Sequence, residues 1–95
     1  MGGLSWDGRK NDRLKRERGV SFEDVVQAVS DGKVLGIFDH PNQRRYPGQR
    51  LMVIDIKGYA YVVPFVEEAG NLLLKTVIPS RKATRDLLKG GRKHG

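Results

Sequence analysis

Cysteine is absent from this 95-residue chain, which excludes disulfide frameworks, thiolate nucleophiles and cysteine zinc sites, and nothing points to an oxidising compartment. Histidine is nearly absent: His40 and His94 stand 54 positions apart, neither with an acidic partner at helical spacing. No ligand set for a metal can be written from the sequence, and no metal or cofactor is expected. The longest apolar run, Tyr59 to Val66, contains Pro64 and falls far short of the ~20 residues that a membrane-spanning helix needs. Charges between Asp7 and Arg18 occupy the place where a signal peptide would carry its apolar stretch. A cytosolic, soluble protein without a membrane association is expected. Neither a serine elbow nor a phosphate-binding glycine loop occurs, and the pair Glu67–Glu68 falls in a predicted turn, where carboxylates are solvated.

What is abundant is positive charge. Lysine and arginine number 18 against 11 acids, a net of +7, and 38% of residues are hydrophobic. That length and composition fit one small domain with a single core, expected over residues 5–89 with flexible termini at 1–4 and 90–95. The basicity is local. Arg9, Lys10, Arg13, Lys15, Arg16 and Arg18 face only Asp12 and Glu17, a local net of +4, and Arg81, Lys82, Arg85, Lys89, Arg92 and Lys93 face only Asp86, a net of +5. The remainder of the chain is therefore slightly acidic. Two basic segments brought together by folding would form a polyanion-binding face, although basic helix surfaces are also common as plain solvated faces.

Local signals give the order of elements. Asp7 caps a helix over Gly8 to Arg18 that Gly19 ends, and its large apolar residue is Leu14, with Trp6 just ahead. Ser21 and Asp24 form a capping box, Val20 and Val25 a hydrophobic staple, and Phe22, Val25, Val26 and Val29 a core-facing stripe before Gly32. The period then becomes strand-like. Val34–Phe38 is a strand, Asp39–Gln49 a loop, and Arg50–Ile56 a strand with Met52, Ile54 and Ile56 facing one way. Tyr59–Val66 pairs with it across Lys57-Gly58, a hairpin connection. Pro64 has no N–H, which predicts an edge strand or a bulge near its end. After a turn at Glu67–Asn71 comes a strand over Leu72–Ile78, and Ser80 caps a last helix to about Lys89, before Gly90-Gly91. The fold class predicted is α+β: two N-terminal helices, a four-stranded antiparallel sheet and one C-terminal helix, with Arg50 sharing a face with both basic helices.

Three stretches resemble a known family. Trp6-Asp7, Lys10-Asn11 and Gly19-Val20-Ser21-Phe22-Glu23-Asp24 are similar to the opening of BrnT-type toxins, which read W-D-x-x-K-N and close their first helix on H-G-[VI]-S-F. Ile78-Pro79-Ser80-Arg81-Lys82-Ala83-Thr84-Arg85 resembles the family's I-S-A-R-[KR]-A-T-R, and Arg50 matches the arginine of E-R-x-x-x-I-G. The resemblance covers Trp6 to about Leu88. It implies a RelE-like fold and a type II toxin: an endoribonuclease that cleaves RNA and blocks translation, held by a cognate antitoxin, usually a small ribbon-helix-helix DNA-binding protein. Arg50, Arg81, Lys82 and Lys10 are the expected catalytic residues, and Lys15, Arg18 and Arg85 the expected RNA contacts. Arginine suits phosphate recognition and stabilisation of a phosphorane, not proton abstraction.

One departure bears on mechanism. Where the family has Lys-His before the glycine, this chain has Glu17-Arg18, so the histidine that would titrate near neutral pH is missing. Attack by a 2′-hydroxyl needs a base and an acid, and Arg18 serves as neither. Lys10, Lys82, a tyrosine or Glu17 could take the base's place, or Arg50 and Arg81 could act by holding and distorting the phosphate alone. Metal-independent cleavage leaving a 2′,3′-cyclic phosphate, with a rate rising toward alkaline pH for a lysine base, is one expectation. A basic module that binds RNA or a protein without cleaving is the other.

Overall fold

In the computed structural model, which describes residues 3–89, the chain opens on a strand at Leu4, one residue before the expected domain start. The Gly90-Gly91 cap, His94 and the expected C-terminal tail lie outside the described residues. β1 (Leu4–Ser5) leads into α1 (Gly8–Arg18) and α2 (Phe22–Ser30), followed by β2 (Val34–Asp39), β3 (Arg50–Ile56), β4 (Tyr59–Glu68), β5 (Asn71–Leu74) and β6 (Ile78–Pro79). α3 (Arg81–Ala83) runs directly into a π-helical stretch, Thr84–Lys89. The sheet order is β1-β5-β4-β3-β2, with β6 also on β4, and β1 lies parallel to β5. The four-stranded antiparallel sheet is thus corrected to a mixed sheet of six strands, and the regular last helix to one α-turn followed by a wider one. No helix among the described residues is long and apolar enough to cross a membrane.

The helical caps form as the sequence dictates. Asp7 accepts from the Arg9 amide, Gly19 ends α1 at φ 69°, and Ser21 and Asp24 close a reciprocal capping box. Lys57 and Gly58 both adopt positive φ, the requirement of a type I′ hairpin, and Ala69-Gly70 repeats that geometry between β4 and β5. Phe22, Val25 and Ala28 of α2 meet Leu14, Met52, Ile54, Val63, Phe65, Leu74 and Val77, while Trp6 stacks on Phe22 at 5.5 Å. Val26 of the predicted stripe is turned outward, 38% exposed, and Ala28 takes the inner position. Each fully buried large side chain, such as Phe22 or Ile54, contributes roughly 1.5–3 kcal/mol.

Pro64 explains why the predicted strand Leu72–Ile78 is split. β4 is the central strand of the order, so Pro64 sits neither at an edge nor near a strand end. The Lys75 amide donates to the Pro64 carbonyl at 2.8 Å, but proline has no N–H to return to the Lys75 carbonyl. Pairing lapses there, and the register moves by one residue between Phe65↔Leu74 and Val62↔Ile78. Val77, inside the interruption, is completely buried in the core. The carbonyls of Lys75 and Val77 are left for side chains to satisfy.

Two residues of the quoted motifs are structural. Asn11, 5% exposed, accepts from the Phe22 amide at 2.7 Å and donates to Glu23 at 2.7 Å, joining α1 to the start of α2. Thr84 Oγ1 accepts from the Ala60 amide and donates to the Ser80 carbonyl, both at 2.8 Å, replacing the strand partner that β4 lacks beyond β6. Asn11→Ala is expected to cost about 1–3 kcal/mol, the penalty for leaving a buried amide unpaired. The bond that the Asn11 side-chain amide donates to Glu23 is the first cause that holds the Glu23 carboxyl below its usual range. A lowered carboxylate pKa stabilises the fold above the ordinary carboxylate range, and that contribution is lost as pH falls through the folded-state value. Urea unfolding across pH should therefore show a lower midpoint at neutrality and a shallower acid loss for Asn11→Ala; an unchanged midpoint would refute the role assigned to Asn11.

Candidate functional site

The two orphan carbonyls draw cations of α1 onto the sheet. Lys10 Nζ donates to the Lys75 carbonyl at 3.4 Å, and Arg18 Nη1 to the Val77 carbonyl at 2.6 Å. Between these tethers α1 and the β5–β6 junction enclose a groove of about 230 Å³, lined by Lys10, Arg13, Leu14, Glu17 and Arg18 on one wall and by Lys75 and Thr76 on the other. A second recess of about 310 Å³, floored by Trp6, Leu73 and Leu74, shares Lys10 and Lys75 with it. Asp7 also lines this second recess, so the first groove is the more cationic of the two.

Spacing on the helix sets what the groove can do. Lys10, Arg13 and Glu17 stand at i, i+3 and i+7, so one face presents an ammonium, a guanidinium and a carboxylate in that order. Lys10 and Glu17 are two turns apart, ~10.5 Å along the axis. Their long side chains can reach opposite sides of a group lying over Arg13, while Lys75 approaches from the strand. A phosphodiester fits that arrangement: cations contact its oxygens, and a proton acceptor and a proton donor flank it.

The other predicted site residues distribute differently. Arg50 pairs with Asp39 at 3.4 Å at the start of β3. Its register partner is Phe65, and that of Phe65 is Leu74, which places Arg50 at the Lys75 end of the sheet. Arg81 follows Ser80, whose amide bonds the Ala60 carbonyl. From Phe65 to Ala60 along β4 is about 16 Å, so Arg50 and Arg81 stand at opposite ends of the strands. Lys82 and Arg85 both engage Asp86, at 3.2 and 3.3 Å. Their contacts, that of Lys82 foremost, hold the Asp86 carboxyl below its usual range. Lys15 turns to Glu23 at 4.0 Å, away from the groove. Lys10 and Arg18 are thus brought together, and Lys15, Arg50, Arg81, Lys82 and Arg85 are not part of that group.

Arg13, Lys75 and Thr76 are groove residues that sequence reasoning did not single out. Lys75 lies outside both basic segments and inside the strand that the sequence predicts; the signal that marks it is Pro64, whose missing N–H frees the carbonyl opposite it. Among the described residues no group of three or more histidines, aspartates or glutamates could hold a metal ion.

Residues 6–86 match the family model described as "Ribonuclease toxin, BrnT, of type II toxin-antitoxin system". No curated protein and no solved structure matches the chain.

Proposed function

Because the chain belongs to the BrnT family of ribonuclease toxins of type II toxin–antitoxin systems, we propose that it is a metal-independent endoribonuclease of RelE-like ancestry that cleaves RNA in the cytoplasm and blocks translation. Its partner is a cognate antitoxin of the ribbon-helix-helix class. The observation that carries the reading is the Lys10–Arg13–Glu17 face opposite Lys75 in one groove.

In this account the Glu17 carboxylate takes the proton of the RNA 2′-hydroxyl as its oxygen attacks the adjoining phosphorus. The bond from phosphorus to the 5′-oxygen breaks, and the Lys10 ammonium gives that oxygen a proton. The products are a 2′,3′-cyclic phosphate and a free 5′-hydroxyl. Arg13 and Lys75 meet the charge that builds on the phosphorane oxygens. Glu17 thereby takes the role of the missing histidine, and Lys82, engaged with Asp86, is set aside as the base. Arg50 and Arg81 contact different phosphates of the bound strand, since the sheet separates them.

Purified protein incubated with RNA in EDTA should generate fragments ending in 2′,3′-cyclic phosphate. Dependence on added magnesium, or fragments carrying 5′-phosphates, would overturn the mechanism. RNA that is bound but left intact under every condition would favour the non-catalytic module.

A further inference from the structure

The loop between Asp39 and Arg50 contributes no residue to the hydrophobic core, yet its own side chains hold it in one shape. The Gln43 amide nitrogen donates to the carbonyls of His40 and Gln49 at 2.8 and 3.1 Å, and its oxygen accepts from the Gly48 amide at 3.0 Å. The Asn42 amide donates to His40 Nδ1 at 3.0 Å, and the Arg45 amide to Asn42 Oδ1 at 3.1 Å. This framework sets the rings of His40 and Tyr46 against each other, centroids 4.5 Å apart. The Arg45 guanidinium lies 5.6 Å from the Tyr46 ring centroid and donates to its hydroxyl at 3.1 Å.

Tyr46 remains 39% exposed in this setting. Arg44, Arg45 and Arg50 outnumber Asp39, giving the segment a net of +2 inside a region of the chain that is otherwise acidic. An exposed tyrosine ring, fixed against the half-buried His40 and set among guanidinium groups, matches the chemistry that holds unpaired nucleic acid: the exposed part of the ring takes a base, and the arginines take phosphates. Position supports this. The loop leaves the sheet at Arg50, which aligns through Phe65 with Leu74, at the end where Lys75 and the groove lie.

We propose that the Asp39–Arg50 loop is a second RNA-binding site, a platform on which one unpaired nucleobase stacks against Tyr46 while Arg44 and Arg45 hold the adjoining phosphates. The inference rests on the ribonuclease reading, because it places one single-stranded RNA across both the loop and the groove.

The test measures binding of a short single-stranded RNA made uncleavable by 2′-O-methylation, and of the same sequence in a duplex, alongside cleavage of unmodified RNA. Tyr46→Ala should weaken single-strand binding about 5- to 150-fold, the range for removing one aromatic stacking partner. Duplex binding should change little, because paired bases present no free face. Tyr46→Phe should bind close to wild type and Tyr46→Leu should resemble Tyr46→Ala. Wild-type single-strand binding by Tyr46→Ala or Tyr46→Leu overturns the proposal, and so does an equal loss for single strand and duplex. A Tyr46→Ala protein that binds RNA normally but no longer binds its antitoxin would reassign the loop to the protein partner. Tyr46-dependent binding without any cleavage would leave the platform standing and sink the ribonuclease reading; cleavage with Tyr46-independent binding would do the reverse.

Discussion

Replacing Glu17 by glutamine is expected to lower RNA cleavage by about 10²- to 10⁴-fold, the usual contribution of a positioned general base, while RNA binding is kept or slightly strengthened. Glutamine preserves the length and shape of the side chain but cannot accept the 2′-hydroxyl proton. It also removes the one carboxylate among the groove-lining side chains, so the anionic strand meets a more positive surface. This opposition of effects separates a catalytic carboxylate from one that only orders the groove, since a structural role would weaken binding and cleavage together. Single-turnover cleavage and binding of an uncleavable RNA, measured on the same preparation, read the two quantities. The variant should also fail to arrest growth when expressed without its antitoxin, under conditions in which the wild type should arrest it. Cleavage at the wild-type rate would return the base to another residue.

Much of the fold can be read from local signals, because those signals act over short range. The Asp7 and Ser21 caps, the Gly19 terminus and the Lys57-Gly58 turn need only neighbouring atoms, and each forms as expected. The errors come from long-range pairing. Leu4 and Ser5 carry no strand signal of their own; they form β1 because Leu72 and Leu73 offer an edge to pair with. Likewise the break between Leu74 and Ile78 is dictated by Pro64, on another strand. The site follows the same division. Lys10 and Arg18 were visible as cations of one helix, whereas their convergence with Lys75 depends on which carbonyls the sheet leaves unpaired. The family resemblance groups Arg50 with Arg81 as catalytic residues, and strand register places them at opposite ends of the strands. Of the motif residues, Asn11 and Thr84 carry no charge and attracted no functional reading, yet their hydrogen bonds join α1 to α2 and the last helical segment to β4.

Arg13 marks the point on which the proposed mechanism is most exposed. It lies one turn from Lys10 and one turn from Glu17 on the same helix face, so a phosphate reached by both must pass over it. If its guanidinium meets the phosphorane oxygens, Arg13→Ala should lower cleavage by about 10²- to 10³-fold, the effect of losing one well-placed donor to a developing oxyanion. Such a donor acts on charge that grows toward the transition state, so kcat and kcat/KM should fall together with KM nearly constant. Arg13→Lys should recover part of the rate, because a point charge remains where the planar two-pronged donor was. The alternative is that Arg13 merely attracts RNA. In that case the loss would appear in KM, would shrink at low salt, and would be accompanied by a binding slope against log salt reduced by about 0.7, the share of one phosphate contact on a single strand. Kinetics of the two variants at two ionic strengths decide between these outcomes, and a loss confined to KM would remove Arg13 from the chemical step.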